Sequence, residues 1–228
     1  MRLRNAVGAC LVIQAASVAS ISSAESFDCP DTGITVEFTT RAHADLVCEA
    51  AETTMAGLAS CRLPSLPPAL RIEVVDEVQQ GCVGLYHCGK ASIELLSPTA
   101  MAERRDPDSA FGFLDAESYF KSVVVHELTH SATVEIPCPI KDCIVADEFV
   151  AYAMQIRSLS RETSRAFSVH ADGSIPANSG DLNLLMLNLA PDRFARSVWW
   201  RLMRSDDPCG LLRNLAERTV LLDRERFE

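Results

Sequence analysis

Alternating hydrophobic and polar positions dominate the N-terminal half of the chain. Residues 34–38, 70–75 and 91–96 repeat with a period of two, which is typical of strands with one buried face. Residues 42–60 instead place apolar side chains near helical spacing, and Pro64 follows them, so a helix is predicted there. Residues 81–89 contain three glycines, and we expect a turn between the second and third strands.

After Pro98 the hydrophobic period becomes helical. Asp115 can cap the first of these helices. The polar residues 170–180 predict a loop. Helices are predicted over residues 116–134, 144–160, 191–204 and 211–222. Because strands come first and helices follow, the predicted fold class is α+β, with a small N-terminal sheet followed by a helix-rich half.

The first 24 residues have the pattern of a secretory signal peptide. Arg2 and Arg4 precede an apolar stretch over residues 6–19, and Ser22 and Ala24 occupy the small-residue positions of a cleavage site. The apolar stretch is shorter than the roughly 20 residues of a membrane-spanning helix. We therefore expect a secreted or periplasmic protein without a stable membrane anchor, whose residues 25–228 form a single domain.

Composition and charge narrow the possible functions. Of 228 residues, 48% are hydrophobic, which excludes a disordered chain and is enough for a sizeable core. The formal net charge is −10. Nucleic-acid binding needs a basic surface, so no nucleic-acid partner is expected.

Eight cysteines follow the predicted signal peptide, and an even number in an exported chain indicates a disulfide framework. We expect all eight to be bonded. Cys82 with Cys88 and Cys138 with Cys143 are the expected local pairs, because each closes a short loop containing glycine or proline. The remaining four, Cys29, Cys48, Cys61 and Cys209, allow three connectivities among which the sequence does not choose.

The chemistry-bearing motif is His126-Glu127-Leu128-Thr129-His130, inside the helix predicted over residues 116–134. Its two histidines lie four residues apart and so project from one helix face, where both can bind one Zn²⁺. Glu127, beside the first histidine, is placed to act on a water molecule. A zinc site of this kind needs a third protein ligand. The next helix offers Glu148, with Asp147 as the main rival. Glu135, just past the first helix, is a weaker candidate.

These residues resemble the gluzincin type of zincin metallopeptidase, in which a His-Glu-x-x-His helix is followed by a helix carrying a ligating glutamate. Many aminopeptidase-like members have Asn/Ser-Glu-Gly-x-Ala-x-Tyr at this second helix. The present chain has Ala146-Asp147-Glu148-Phe149-Val150-Ala151-Tyr152, with seventeen residues between His130 and Glu148. The metzincin alternative lacks its third histidine, because Ile136 stands at that position.

The resemblance implies a zincin-like fold with one Zn²⁺ held by His126, His130 and Glu148. It also implies Glu127 as the general base of peptide-bond hydrolysis, a peptide or protein as substrate, and the strand over residues 91–96 as the edge strand that aligns it.

Tyr152 and His170 are candidates for stabilising the transition state, against the alternatives of a half-buried core tyrosine and a surface histidine. Two other functions stay open at this point. One is a non-catalytic exported binding protein on a zincin scaffold, and the other is a disulfide-rich structural protein that binds no metal.

Overall fold

The structure is a computed structural model that describes residues 25–78, 82–133, 135–171 and 179–222. The predicted signal peptide, residues 1–24, lies outside the described residues. The described residues form one mixed sheet of five strands and eight α-helices, so the α+β class predicted from the sequence is confirmed. None of the described helices is long and apolar enough to cross a membrane.

The sheet has the order β1-β2-β3-β5-β4. Its strands are β1 (Glu25–Cys29), β2 (Ile34–Phe38), β3 (Leu70–Val75), β4 (Gly84–His87) and β5 (Ser92–Leu96). The two outer pairs are antiparallel, whereas β2 with β3 and β3 with β5 are parallel. The parallel β2–β3 pair needs a crossover connection, and the first helix supplies it.

Alternation along the central strands explains which face of the sheet is buried. In β2, Ile34, Val36 and Phe38 are buried while the residues between them are partly exposed. Their neighbours in β3 continue the apolar face, because Ile34 pairs with Leu70 and Val36 with Ile72. Helices pack on this face and form one large core with it.

One helix lies between β2 and β3, and the other described helices follow the sheet in the chain. The helices are α1 (Arg41–Cys61), α2 (Pro98–Arg104), α3 (Ala116–Thr133), α4 (Ile144–Arg157), α5 (Arg161–Ala171), α6 (Leu184–Leu189), α7 (Pro191–Met203) and α8 (Pro208–Ala216). The predicted helix over residues 211–222 is shifted toward the N-terminus. It begins at Pro208 because the Asp207 side chain caps it, accepting a hydrogen bond of 2.8 Å from the Gly210 N–H.

Two segments differ from the sequence prediction. The expected turn over residues 81–89 contains β4, whose pairing with β5 overrides its glycine content. The expected loop over residues 170–180 begins inside α5, where burial of Phe167 stabilises the helix as far as Ala171. The elements β1, α2, α5 and α6 were also not predicted.

The described chain contains three disulfides: Cys29–Cys48, Cys61–Cys209 and Cys138–Cys143. The last confirms a predicted pair, and the first two select one of the three open connectivities. The predicted Cys82–Cys88 bridge is wrong in this structure, since both thiols are free. Strand β4 lies between them and rises about 3.3 Å per residue, whereas a disulfide needs Cα atoms within about 7 Å.

Candidate metal centre

Helix α3 supplies a rigid, buried support for the motif. Val123, Val124 and Val125 are all buried, as expected for a helix that runs through the core. The hydroxyl groups of Thr129 and Thr133 are also buried, and they donate to the backbone carbonyls one turn earlier, at 2.7 and 3.1 Å. The helix can therefore enter the core without leaving polar groups unpaired.

The connection between α3 and α4 places the third candidate ligand. The Cys138–Cys143 disulfide closes this connection, and Cys143 directly precedes the first residue of α4. Glu148 lies in the second turn of α4 and faces the histidine pair across the interface between the two helices.

Three ligand-capable atoms converge where these helices meet. The Nε2 atoms of His126 and His130 are 3.1 Å apart, and each lies 3.4 Å from one carboxylate oxygen of Glu148. Two atoms that each bind a tetrahedral Zn²⁺ at about 2.05 Å are about 3.3 Å apart. The observed spacings fit that requirement, and the donor set of two imidazoles and one carboxylate suits zinc.

A buried polar chain fixes the orientation of the first histidine. The Nδ1 atom of His126 lies 3.1 Å from Oε1 of Gln155, whose amide nitrogen donates to the Ser122 hydroxyl at 3.1 Å. Because Gln155 presents its carbonyl oxygen, Nδ1 of His126 carries the proton and Nε2 keeps its lone pair toward the metal position.

The charges of the centre raise the pKa of His130 and lower the pKa of Glu148. Burial by itself lowers the pKa of His130, but the hydrogen bond to Glu148 and the negative charges of Glu148, Glu127 and Asp147 raise that pKa to about 9. Burial raises the pKa of the Glu148 carboxyl, but the two histidines outweigh it and hold that pKa well below its usual range. The pocket thus strongly favours a positive charge between these side chains, which a divalent cation supplies.

Glu127 lies beside this group but outside it. Its Oε2 atom accepts a hydrogen bond of 3.1 Å from the backbone N–H of Tyr86 in β4. The space around the carboxylate is tight, because a Cβ atom at Gly84 would be only 2.7 Å from Glu127 Cγ and Oε1. Strand β4 therefore holds this carboxylate in place without occupying its second oxygen.

The centre opens into a cavity of about 800 Å³ that β4, α2, α3, α4 and α7 line. Tyr152 forms part of its wall, with its ring edge-on to the His126 imidazole at 4.7 Å between centroids. Burial and then the negative charge of Glu148 raise the pKa of Tyr152 above its usual range. Its hydroxyl group therefore stays protonated and can donate a hydrogen bond.

Comparison with known proteins places the chain in a family. A family model matches residues 34–225, which include every residue of the centre. The chain belongs to the DUF6639 family. It is a family of unknown function. No curated protein and no solved structure matches the chain, so the activity of this DUF6639 protein has to be inferred from the site itself.

The other predicted candidates of the DUF6639 chain lie apart from the ligand atoms. The Asp147 carboxylate pairs with the guanidinium of Arg218 at 2.5 Å and does not join the His126, His130 and Glu148 group. Glu135 is exposed after the end of α3. His170 belongs to α5, and its side chain lies outside the described part of the structure.

Several residues around the centre were missed by the sequence analysis. Gln155, Tyr86, Gly84 and Arg218 all contact His126, Glu127 or Asp147. A partial signal existed for Gln155, which follows Glu148 on the same helix at a spacing of two turns. The other three approach from separate elements and carry no local pattern.

Proposed function

We propose that this DUF6639 protein is an exported zinc-dependent peptidase with a zincin-like centre, similar to the gluzincins. One observation carries the proposal: His126, His130 and Glu148 converge at the spacing of tetrahedral zinc ligands, while the Glu127 carboxylate lies beside them and outside the ligand group. A site with three protein ligands keeps the open position that catalysis requires.

Each side chain has a separate task in the proposed reaction. His126, His130 and Glu148 would hold the zinc ion, which would supply the Lewis acidity that polarises a scissile carbonyl and acidifies a water molecule. Glu127 accepts the proton of the attacking water and delivers it to the leaving nitrogen. The Tyr86 N–H donates to one oxygen of Glu127, which leaves the other oxygen to accept the water proton.

Strand β4, and not the strand over residues 91–96, is the edge that can align a substrate. The observed strand β5 lies between β3 and β4, so its edges are both occupied. The Tyr86 N–H points away from β5, toward Glu127, and the Tyr86 carbonyl lies on the same side of the strand. No described strand covers this edge of β4, so an extended peptide could pair there with backbone groups other than the Tyr86 N–H, which Glu127 already engages.

Two further features support the proposal. Tyr152 can donate a hydrogen bond to the oxyanion that develops on the substrate, because its hydroxyl stays protonated and it lines the cavity. The three disulfides fit an oxidising compartment, in agreement with a secreted or periplasmic location.

Glu127→Gln separates an enzyme from a binding protein. The amide is nearly isosteric and cannot accept the water proton, so zinc content should persist while hydrolysis of a broad peptide library falls by about 10²–10⁴-fold. Glu117→Gln, the same change at an exposed position of α3, is the matched control and should cleave like wild type. Cleavage by neither zinc-loaded protein favours the non-catalytic binding protein, and equal cleavage by both removes Glu127 from the mechanism.

A further inference from the structure

Arg218 is a buried arginine in an unfavourable backbone conformation. It follows α8, its side chain is only 4% exposed, and its φ of 61° lies in the left-handed region. Such a conformation is unfavourable for a residue other than glycine and persists only where the surrounding structure holds it. Its side chain therefore makes contacts that offset this cost.

The Arg218 guanidinium forms an ion pair with one carboxylate and a hydrogen bond with one backbone carbonyl. Its Nη2 atom donates to Asp147 Oδ1 at 2.5 Å, and its Nη1 atom donates to the Leu215 carbonyl at 3.2 Å. Its Nε atom is buried without a hydrogen-bond partner among the described residues. Leaving that donor unpaired is unfavourable, so the ion pair with Asp147 is the interaction that holds the side chain there.

Asp147 is the residue directly before the proposed ligand Glu148. Both carboxylates line the cavity of the metal centre, and Asp147 lies close enough to His130 for its charge to act on that imidazole. Both are also competent zinc ligands by chemistry. Among the described residues, the group whose ligand atoms lie within 4.8 Å of one another joins Glu148 to the two histidines and does not include Asp147.

We infer that Arg218 is a positioning residue that selects the metal-binding carboxylate: by pairing with Asp147 it keeps that side chain off the metal, so that Glu148 alone completes the site. The inference rests on the zinc centre proposed above and adds to it the residue that decides its coordination. The C-terminal segment after α8 thereby becomes part of the metal centre, although it contributes no ligand.

Removing the cation should release Asp147 toward the metal. A buried carboxylate without its partner is unfavourable, and in the loaded protein the metal ion is a cation with which Asp147 can pair. Zinc-type sites accept a fifth ligand, so Asp147 would enter as an additional oxygen donor.

The test uses the mature chain loaded with Co²⁺, whose visible absorption band weakens as the coordination number rises. Arg218→Met should weaken the band, because Asp147 adds a ligand. Arg218→Met combined with Asp147→Asn should restore the wild-type band, because an amide does not compete with Glu148. Arg213→Met is the matched control, since Arg213 lies on α8 and contacts the Cys61 carbonyl and exposed Asp207 instead.

A purely structural role predicts a different outcome. Arg218→Met would then lose stability but keep the wild-type band, and this result, or a double variant that fails to restore the band, would overturn the inference. If circular dichroism shows that Arg218→Met is unfolded, Arg218→Gln replaces it with the same expectations. A wild-type protein that binds no metal refutes the proposed function as well, whereas metal binding with an unmoved Arg218→Met spectrum refutes this inference alone.

Discussion

An alanine at position 84 would push a methyl group against the proposed general base. An ideal Cβ at Gly84 lies 2.7 Å from Cγ and Oε1 of Glu127 and 3.0 Å from its Cδ. Carbon atoms in ordinary contact are about 3.5–4.0 Å apart, so the carboxylate must move by about 1 Å. That movement also lengthens its 3.1 Å hydrogen bond with the Tyr86 N–H.

The expected loss of activity follows from this displacement. A misplacement of 1 Å can cost about 10²-fold in rate, which corresponds to about 2.7 kcal/mol of transition-state stabilisation. We therefore expect Gly84→Ala to lower kcat by about that factor. Zinc content should stay unchanged, because Glu127 is outside the group that could hold the metal.

A double-mutant cycle tests whether the effect passes through Glu127. The assay measures kcat for zinc-loaded Gly84→Ala, Glu127→Gln and the double variant. Once the base is gone, the alanine should cost less than about threefold, because residues that act as a unit are not additive. Gly57→Ala is the control, since its Cβ would meet only the flexible end of Met154, and neither residue lines the cavity of the centre. Full activity of Gly84→Ala, or the same loss without Glu127, would refute the reasoning.

Three further predictions concern the surroundings of the site. Thiol titration of the denatured, unreduced mature chain should find two thiols, Cys82 and Cys88, and a count of zero would restore the bridge expected from the sequence. Gln155→Leu should weaken zinc binding by about 10–100-fold in a chelator competition, because His126 loses the acceptor at Nδ1; unchanged affinity would contradict this role. Asp115→Ala should destabilise the fold by about 1 kcal/mol in denaturant melts at neutral pH, because it removes the cap of α3. Hydrogen bonds from Ser118 lower the pKa of Asp115, so its contribution is present above the unfolded pKa and fades as pH falls through the lower, folded pKa; a difference that persists in acid would count against it.

The sequence predicts the central strands and long helices well because their signals are local. Side chains of β2 and β3 alternate between buried and less buried positions, which is the pattern read from residues 34–38 and 70–75. Strand β4 has no such alternation, since all four of its residues are partly exposed. Its extended conformation depends on pairing with β5, which no short window of sequence contains.

In the candidate centre, too, some residues are predictable from local sequence and others only from the folded structure. His126 and His130 are predictable because helix geometry alone brings residues four apart onto one face. Glu148 required the resemblance to a two-helix pattern. Gln155 and Arg218 reach the centre across sequence separations of 29 and 71 residues, so only the packed fold brings them there.

The zinc content of the purified mature protein tests the central claim most directly. Atomic emission spectrometry after dialysis should find about one zinc per chain in wild type and in Glu127→Gln. The same measurement should find almost none in His126→Ala, because two remaining ligands make a poor site. Wild type without zinc, or His126→Ala that retains a full equivalent, would contradict the assignment of His126, His130 and Glu148 as a metal centre.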